Sequence, residues 1–449
     1  MLTTFRVRGF KSLSDTGPVE IRPLTLLLGP NSSGKSSFLH AMLMLKQTLA
    51  TRNYDRPLNL EGPINFPPFP ELVFGANEAQ RIELSFDIDL GGDRRIFGLS
   101  EEAVRLSVSV TTAFDTAKQE MYREKVTGTI RGRENQMLNG WTEESLPGKP
   151  RRLTLRTAKR RSLNISMSES SRRPQSMLAG FFQLPLELLG PASRRQRIRD
   201  FLSESGIYGV DFSISAAFGE SLSYIGPLRE SPHRYYEAAG ETPLDVGQQG
   251  ERAVYILRGS AGRDRNSLLS HVRRWLVALG IAADVQVEEI AASLHRITVV
   301  DPHTGVVVNI ADIGFGASQV LPIIVQGYFQ EPDSVLLLEQ PEIHLHARSQ
   351  GVLADMFLDI SKHLRRSPTW LRDGLVGSGH SAWDCRETGR ASRALGPSAT
   401  GRGEVPGRAW ETEETGPGRF GPRRSGSWES GQDPSDRGKR HSCRAPIDT

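Results

Sequence analysis

The stretch that most constrains the fold is GPNSSGKS, residues Gly29–Ser36, which fits the pattern Gly-x4-Gly-Lys-Ser/Thr. It lies between the apolar run Pro23–Leu28 and the apolar-periodic segment Ser36–Leu49, so the sequence predicts a strand, a loop and a helix in that order. Small residues before a helix N-terminus let backbone N–H groups approach phosphate oxygens closely. The pattern predicts a phosphate-binding loop, with a Gly/Ser-rich turn that binds no ligand as the alternative.

The residue types in this loop indicate a nucleotide with a metal ion. Lys35 is placed to reach the β- and γ-phosphates, and the hydroxyl of Ser36 is placed to bind Mg²⁺. An acidic residue for the metal is then expected after a second buried strand. The run Val335–Leu338 predicts that strand, and Glu339 follows it directly. We expect ATP and Mg²⁺ as cofactors, held by Ser36 and Glu339 at the metal and by these loop residues at the nucleotide: Gly29, Pro30, Asn31, Ser32, Ser33, Gly34, Lys35, Ser36 and Ser37.

Further polar residues follow Glu339, namely Glu342, His344 and His346. A His-x-His pair beside a carboxylate is compatible with a zinc site. A strand that ends in an acid for Mg²⁺ already explains the carboxylates, so zinc remains the less favoured alternative.

The segment Asp312–Val325, DIGFGASQVLPIIV, predicts a glycine-containing turn that begins another helix. A helix N-terminus can also receive a phosphate. One nucleotide does not need two phosphate-binding helix N-termini from the same chain. The second one has a use if it contacts the nucleotide that a neighbouring copy binds. The segment therefore predicts a homodimer formed on ATP, with Gly316, Ser318 and Gln319 as contacts, and a capped core helix is the alternative.

Composition limits the remaining possibilities. Of 56 basic and 52 acidic residues, 15 and 11 lie between Arg365 and Thr449, so the rest of the chain is formally neutral and net charge gives no support for DNA binding. The basic run Ser193–Asp200 is better explained as a solvated helix face. With no long apolar stretch and no signal peptide, we expect a cytoplasmic protein without a membrane segment. The chain has two cysteines, Cys385 and Cys443, so we expect neither a disulfide framework nor a multi-cysteine zinc site.

Taken together, three separated segments resemble the ABC-type ATPase heads of the structural-maintenance-of-chromosomes (SMC), RecF and overcoming-lysogenization-defect (OLD) group. These segments are FRVRGFKSL with PLTLLLGPNSSGKSS, DIGFGASQVLPII, and VLLLEQPEIHLHA. The sequence is most similar to bacterial AAA-labelled ATPases that lack a long coiled coil. Tyr224–Tyr236 and Val246–Leu257 also resemble segments of that subgroup, and the resemblance covers residues 1–364.

The resemblance implies a role for each motif. Gly29–Ser36 would be the Walker A loop, Gly314–Gln319 the signature motif and Glu339 the Walker B acid. The glutamate that orients the attacking water is replaced by Gln340, and an amide cannot accept a proton as a carboxylate does. Either Glu342 takes that role or hydrolysis is slow, so the candidate catalytic residues are Lys35, Glu339, Gln340 and Glu342. The family's switch histidine has one counterpart here, His380 in GSGHS.

The predicted fold is α/β, a P-loop NTPase of the ABC-head type with an antiparallel β-subdomain and a helical insertion. Its parts are a Walker A lobe (1–75), the β-subdomain (80–170), the insertion (175–220) and a signature and Walker B lobe (221–364). Residues 365–449 are rich in Arg, Gly, Ser and Pro and cannot build a core, which predicts a disordered tail or, as we favour, an out-of-frame segment.

The function that these features favour is an ATPase that dimerises on ATP and hydrolyses it to drive a partner in DNA repair or anti-phage defence. The partner would be a separate effector or nuclease. One alternative is a non-hydrolysing ATP switch or scaffold, which Gln340 favours. Another is the ATPase part of an OLD-type nuclease system, although no acidic cluster for a Toprim domain follows Leu364. A transporter ATPase is disfavoured, since the Leu-Ser-Gly-Gly-Gln form of the signature is absent.

Overall fold

A computed structural model describes residues 1–51, 57–77, 80–90, 102–157, 162–167, 208–219, 221–237, 243–259, 265–291, 294–314, 316–364 and 374–378. All of them belong to one unit of the chain, Met1–Pro397. The strands among them are β1 Leu2–Phe10, β2 Leu13–Asp15, β3 Val19–Glu20, β4 Leu24–Leu27, β5 Ile82–Asp89, β6 Ala103–Asp115, β7 Glu120–Gly132, β8 Met137–Glu144, β9 Arg151–Thr157, β10 Ser162–Met167, β11 Leu222–Ile225, β12 Tyr236–Glu237, β13 Asp284–Ala291, β14 Leu294–Val300, β15 Val307–Asn309, β16 Val335–Glu339 and β17 Gly374–Ser378. The α-helices are α1 Lys35–Ala50, α2 Phe69–Leu72, α3 Tyr208–Phe218, α4 Ala253–Gly259, α5 Arg265–Ala278, α6 Gly316–Phe329 and α7 Ala347–His363, and two 3₁₀ turns span Phe74–Ala76 and Ile310–Asp312.

A four-stranded parallel sheet positions the two halves of the predicted site. Its order is β11-β16-β17-β4, and every pairing in it is parallel. All residues of β16 are buried, as expected for a strand covered on both faces. Because parallel strands end at a common edge, the loop after β4 and the acid that ends β16 lie at the same edge of the sheet.

The parallel sheet packs between two hydrophobic clusters. Val335 and Leu337 of β16 face the cluster that contains α1, α3 and the large antiparallel sheet. Leu336 and Leu338 face the cluster that contains α4 to α7. This alternation follows from the two-residue side-chain period of a strand. Strand β16 is therefore packed on both faces, which fixes the position of Glu339 at its end.

The strands predicted after Arg81 form a nine-stranded antiparallel sheet with the order β10-β9-β8-β7-β6-β5-β1-β2, in which β3 pairs with β1. The sequence did not predict β8, whose residues MLNGWTEE do not alternate regularly. Its Trp141 lies over Gly128 of β7, where an added Cβ would lie 2.0 Å from the indole ring. A cross-strand contact therefore fixes β8, and such a contact leaves no local pattern.

A smaller antiparallel sheet has the order β12-β14-β13, with β15 paired to β14. The predicted strands Ser293–Asp301 and Gly305–Asp312 correspond to β14 and the shorter β15. The sequence did not predict β13, because most of its side chains are partly or fully exposed and give no apolar alternation. The described residues are thus mixed α/β, with parallel and antiparallel sheets.

Two of the predicted segments lie only partly within the described residues. Of the predicted insertion, residues 175–220, the described portion contains the helix α3, and the basic run Ser193–Asp200 lies outside the described residues. Gly374–Ser378, within the segment predicted to be a disordered or out-of-frame tail, forms β17 between β16 and β4. Its place depends on peptide groups that pair on both sides, which composition does not reveal.

The rest of the predicted tail, residues 365–373 and 379–449, lies outside the described residues, and so do His380 and both cysteines. The interpretations of those residues stay predictions. Within the described part of the chain, no helix combines the length and apolar character needed to cross a membrane.

Candidate nucleotide site

The predicted strand, loop and helix at Gly29–Ser36 are confirmed as β4, a connecting loop and α1. Gly34 precedes the helix with φ +94°, and a Cβ added there would lie 2.5 Å from the Leu13 side chain. The loop therefore requires glycine at this position. Since glycine offers no capping side chain, the first N–H groups of α1 keep their capacity to bind an anion.

The ammonium group of Lys35 lies under this loop. Its side chain is buried, and Nζ donates to the carbonyl oxygens of Gly29 at 2.9 Å and Pro30 at 2.8 Å. Lys35 thus donates to carbonyl groups of its own loop, and the same N–H donors could instead bind phosphate oxygens. Binding a nucleotide here would exchange carbonyl acceptors for charged phosphate oxygens, which form stronger hydrogen bonds.

The two predicted metal ligands are in direct contact. Ser36 Oγ donates to Glu339 Oε2 at 2.7 Å, although the residues are 303 positions apart in the sequence. The other carboxylate oxygen, Oε1, lies 3.1 Å from the hydroxyl of Tyr224 and 3.1 Å from Nε2 of His40. His40 lies one turn after Ser36 on α1, and Tyr224 lies on β11, the neighbour of β16. Sequence reasoning missed both side chains.

The protonation of this cluster follows from its surroundings. Burial acts to raise the pKa of Glu339, but hydrogen bonds from His40 and Ser36 outweigh it and the pKa is lowered. Burial and the nearby Glu339 carboxylate raise the pKa of Tyr224, so its hydroxyl stays protonated and can donate. The carboxylate is therefore held ionised and oriented, as a ligand for a hard cation must be.

A cavity of about 420 Å³ opens over the loop, within the range of ligand pockets. Its wall consists of Lys11, Ser12, Asn31, Ser32, Ser33, Gly34, Lys35, Ser36, Ser37 and Gln340. Seven of the nine predicted loop residues thus line it, whereas Gly29 and Pro30 contribute the carbonyls that hold Lys35. Lys11 and Ser12 were not predicted to bind the nucleotide, although they belong to the FRVRGFKSL segment that carries the family resemblance.

Lys11 brings a second ammonium group to this cavity. Its Nζ lies 5.0 Å from the ring centroid of Phe66 and 5.6 Å from that of Phe10, an arrangement that favours a cation. Burial lowers the pKa of Lys11, and the Glu339 carboxylate opposes that shift. The cavity wall therefore presents two lysines, Lys11 and Lys35, to an anionic ligand.

Of the two candidates for orienting water, Gln340 lines the cavity and Glu342 does not. Gln340 has φ +47°, in the left-handed region that residues other than glycine seldom adopt. Glu342 is buried and lies within electrostatic range of Arg229. The ring of His346 caps α7 by accepting from the N–H of Arg348 at 3.3 Å. No three His, Cys, Asp or Glu side chains are grouped as metal ligands in the described part of the chain, and the zinc alternative gains no support there.

The predicted signature residues lie at the start of α6. Gly316 is its first residue, and the side chains of Ser318 and Gln319 are buried. These residues are not part of the cavity wall. Within a single chain the structure therefore does not bring them to the phosphate loop.

Comparison with known proteins does not identify a family for this chain. No family model matches the chain, and no curated protein matches it. Among solved structures, the chain is similar to the SMC head domain from Thermotoga maritima, with 12% sequence identity and a TM-score of 0.35 over 85% of this chain and 89% of that domain. A superposition as loose as this does not argue for a shared activity. The assignment of the site therefore depends on the chain's own geometry.

Proposed function

We propose that the chain is an ATP-binding ATPase of the ABC type. The observation that carries the proposal is the contact between Ser36 and Glu339 beneath a glycine-containing loop that also holds Lys35. Two distant motifs, each able to bind one part of a magnesium nucleotide, converge on one cavity. An ordinary Gly/Ser-rich turn gives no reason for a buried carboxylate at the first turn of the following helix.

The residues present fit a magnesium ion. Ser36 and Glu339 offer a hydroxyl and a carboxylate oxygen, the hard donors that Mg²⁺ binds together with water and phosphate. When bound, the ion would neutralise charge on the β- and γ-phosphates. Ser36 donates its hydroxyl proton to Glu339, so a lone pair of Oγ would remain for the ion.

The chain's own groups would perform the remaining tasks. Lys35, with the first N–H groups of α1, would hold the phosphates and stabilise the charge that develops between them. Gln340, at the cavity wall, would orient a water molecule through its amide. An amide positions water but accepts no proton, so we expect slow hydrolysis.

The test is ATP binding by a Lys35→Ala variant, measured by calorimetry with Mg²⁺. Two charge-assisted hydrogen bonds to phosphate contribute about 3–6 kcal/mol, and loss of the contacts to Gly29 and Pro30 offsets part of this. We expect affinity to fall at least about 100-fold. Lys125→Ala is the matched control, because Lys125 is half-exposed and contacts Glu144 at 2.9 Å on the β-sheet. Equal affinity in the Lys35 variant and the wild type would refute the proposal.

A second function, an ATP switch that does not hydrolyse, is favoured by Gln340 at the cavity wall in the place of a carboxylate. Steady-state phosphate release separates the two. Turnover that depends on Lys35 identifies an ATPase, and tight ATP binding without turnover identifies a switch.

The proposal includes assembly and setting. ATP would bring two copies together, with Gly316, Ser318 and Gln319 of one copy near the nucleotide of the other, and the N-terminus of α6 supports this role. Light scattering with and without ATP tests it. A cytoplasmic role in DNA repair or anti-phage defence, through a separate effector or nuclease, is supported by the sequence resemblance alone.

A further inference from the structure

A buried arginine that the predicted roles do not use joins the main elements of the site. Arg229 follows β11 and is 8% exposed. Its Nη2 donates to the carbonyl oxygen of Glu339 at 2.8 Å, and its Nη1 donates to Oε1 of Gln319 at 3.2 Å. Nη1 also lies 3.5 Å from the carbonyl oxygen of Gln340. One guanidinium thus connects the end of β16, the turn after it and the first turn of α6.

The chemistry of this group suits a geometric role. Burial lowers the pKa of Arg229 to about 10, with Glu342 opposing the shift, so the guanidinium remains charged at neutral pH. Burying a cation is costly, and a nonpolar side chain of similar size would fill the space at lower cost. What arginine adds is a planar fork whose donors are fixed relative to one another, a property that lysine lacks.

That fork lies against the backbone of Gln340, a residue of the cavity wall with a positive φ. The carbonyls of Glu339 and Gln340 belong to the peptide planes before and after the Cα of Gln340. The 2.8 Å hydrogen bond holds the first plane, and the longer 3.5 Å contact restrains the second. Together they favour the backbone conformation of Gln340, whose φ of +47° is in a region that persists only where surrounding contacts impose it.

We propose that Arg229 is a positioning residue that holds Gln340 in its left-handed conformation and ties it to the first turn of α6. This inference rests on the proposed ATPase function. If Gln319 moves, for example when a second copy docks on α6, Arg229 would move with it and change the backbone conformation of Gln340. The signature helix and the water-orienting turn are then mechanically joined within a single chain.

The experiment compares Arg229→Met and Arg229→Lys with the wild type in ATP affinity and single-turnover hydrolysis. We expect ATP affinity within about threefold of wild type in both variants and hydrolysis at least about tenfold slower. Lysine keeps the positive charge near Glu342 but not the fork, so it should not restore the rate. Restoration by lysine would indicate a purely electrostatic role and overturn the proposal. Arg296→Met is the matched control, because Arg296 pairs with Glu288 on the small sheet at 42% exposure.

Hydrogen exchange of the free protein gives a readout that needs no nucleotide. Faster exchange of amides in residues 340–345 of Arg229→Lys, with unchanged exchange in residues 29–38, supports the proposal, and unchanged exchange in both segments overturns it. If the wild type binds no ATP, the proposed function fails while this measurement still decides the role of Arg229. If the wild type binds ATP without hydrolysing it, the exchange result alone decides.

Discussion

Replacing Glu339 by glutamine tests the electrostatics of the site without a ligand. The carboxylate contacts Ser36 Oγ, the Tyr224 hydroxyl and Nε2 of His40. A glutamine side chain of nearly the same shape keeps one acceptor oxygen, and its –NH2 group replaces the other oxygen. Either Ser36 or the pair of Tyr224 and His40 then faces a donor instead of an acceptor.

The magnitude follows from these three contacts. Hydrogen bonds to a charged group contribute about 1.5–3 kcal/mol and those between neutral groups about 0.5–1.5 kcal/mol, so Glu339→Gln loses about 1 kcal/mol per contact. The amide has a smaller desolvation cost, which offsets part of this total. The lowered pKa of Glu339 shows that folding favours the ionised form despite burial. We therefore expect Glu339→Gln to lower the free energy of unfolding by about 1–3 kcal/mol at pH 7.

The pH dependence gives a sharper check. A carboxyl group whose pKa is lowered from 4.5 on folding stabilises the protein above pH 4.5, and the stabilisation is lost as pH falls through the folded-state pKa. The glutamine variant has no such titration, so its difference from the wild type should shrink below pH 4.5. Urea unfolding at pH 7 and pH 3.5, without Mg²⁺ or nucleotide, measures both values. A variant as stable as the wild type at pH 7, or a difference that grows on acidification, would refute the reasoning.

The control for this experiment is Glu144→Gln. This substitution makes the same chemical change at the surface. The side chain of Glu144 is 48% exposed and contacts Lys125 at 2.9 Å. We expect its effect on the free energy of unfolding to stay within about 0.5 kcal/mol.

Three further results are expected. Gly34→Ala should destabilise the protein by about 2–4 kcal/mol in urea unfolding, because φ is +94° and the new Cβ would lie 2.5 Å from the Leu13 side chain; a smaller loss than 1 kcal/mol would contradict this. Lys11→Met should weaken ATP binding about tenfold in calorimetry with little change in melting temperature, and unchanged affinity would place Lys11 outside the binding site. Gln340→Glu should raise steady-state phosphate release at least about tenfold at similar ATP affinity, and no increase would count against Gln340 as the residue beside the attacking water.

Much of the local structure around the site could be predicted from the sequence. The period-2 pattern of Ile82–Asp89 and the apolar run before Glu339 both became strands, and the segment after Lys35 became a helix. The glycines and the lysine of the loop were identified because a phosphate cradle needs those residue types at that spacing. These features depend on interactions between near neighbours, which a single sequence contains.

Other parts of the site depend on how distant segments pair. His40 belongs to no recognised motif. Tyr224 and Arg229 lie in a segment that carries the family resemblance, but that resemblance gave them no role. All three contact Glu339. Tyr224 lies on β11 and Arg229 follows that strand. Both contact Glu339 because β11 pairs with β16. Strand β17 likewise joins the sheet by pairing with β16 and β4, which are distant from each other in the sequence.

The sequence by itself determined the phosphate loop, the acid-bearing strand and the helical and strand periods, since each is set by residues within a few positions of one another. Only the tertiary structure decided which side chains orient Glu339, that Gln340 and not Glu342 lines the cavity, and that one arginine spans two motifs. The physical reason is that side-by-side strand order brings together residues over 100 positions apart, and no local pattern in the chain encodes that order.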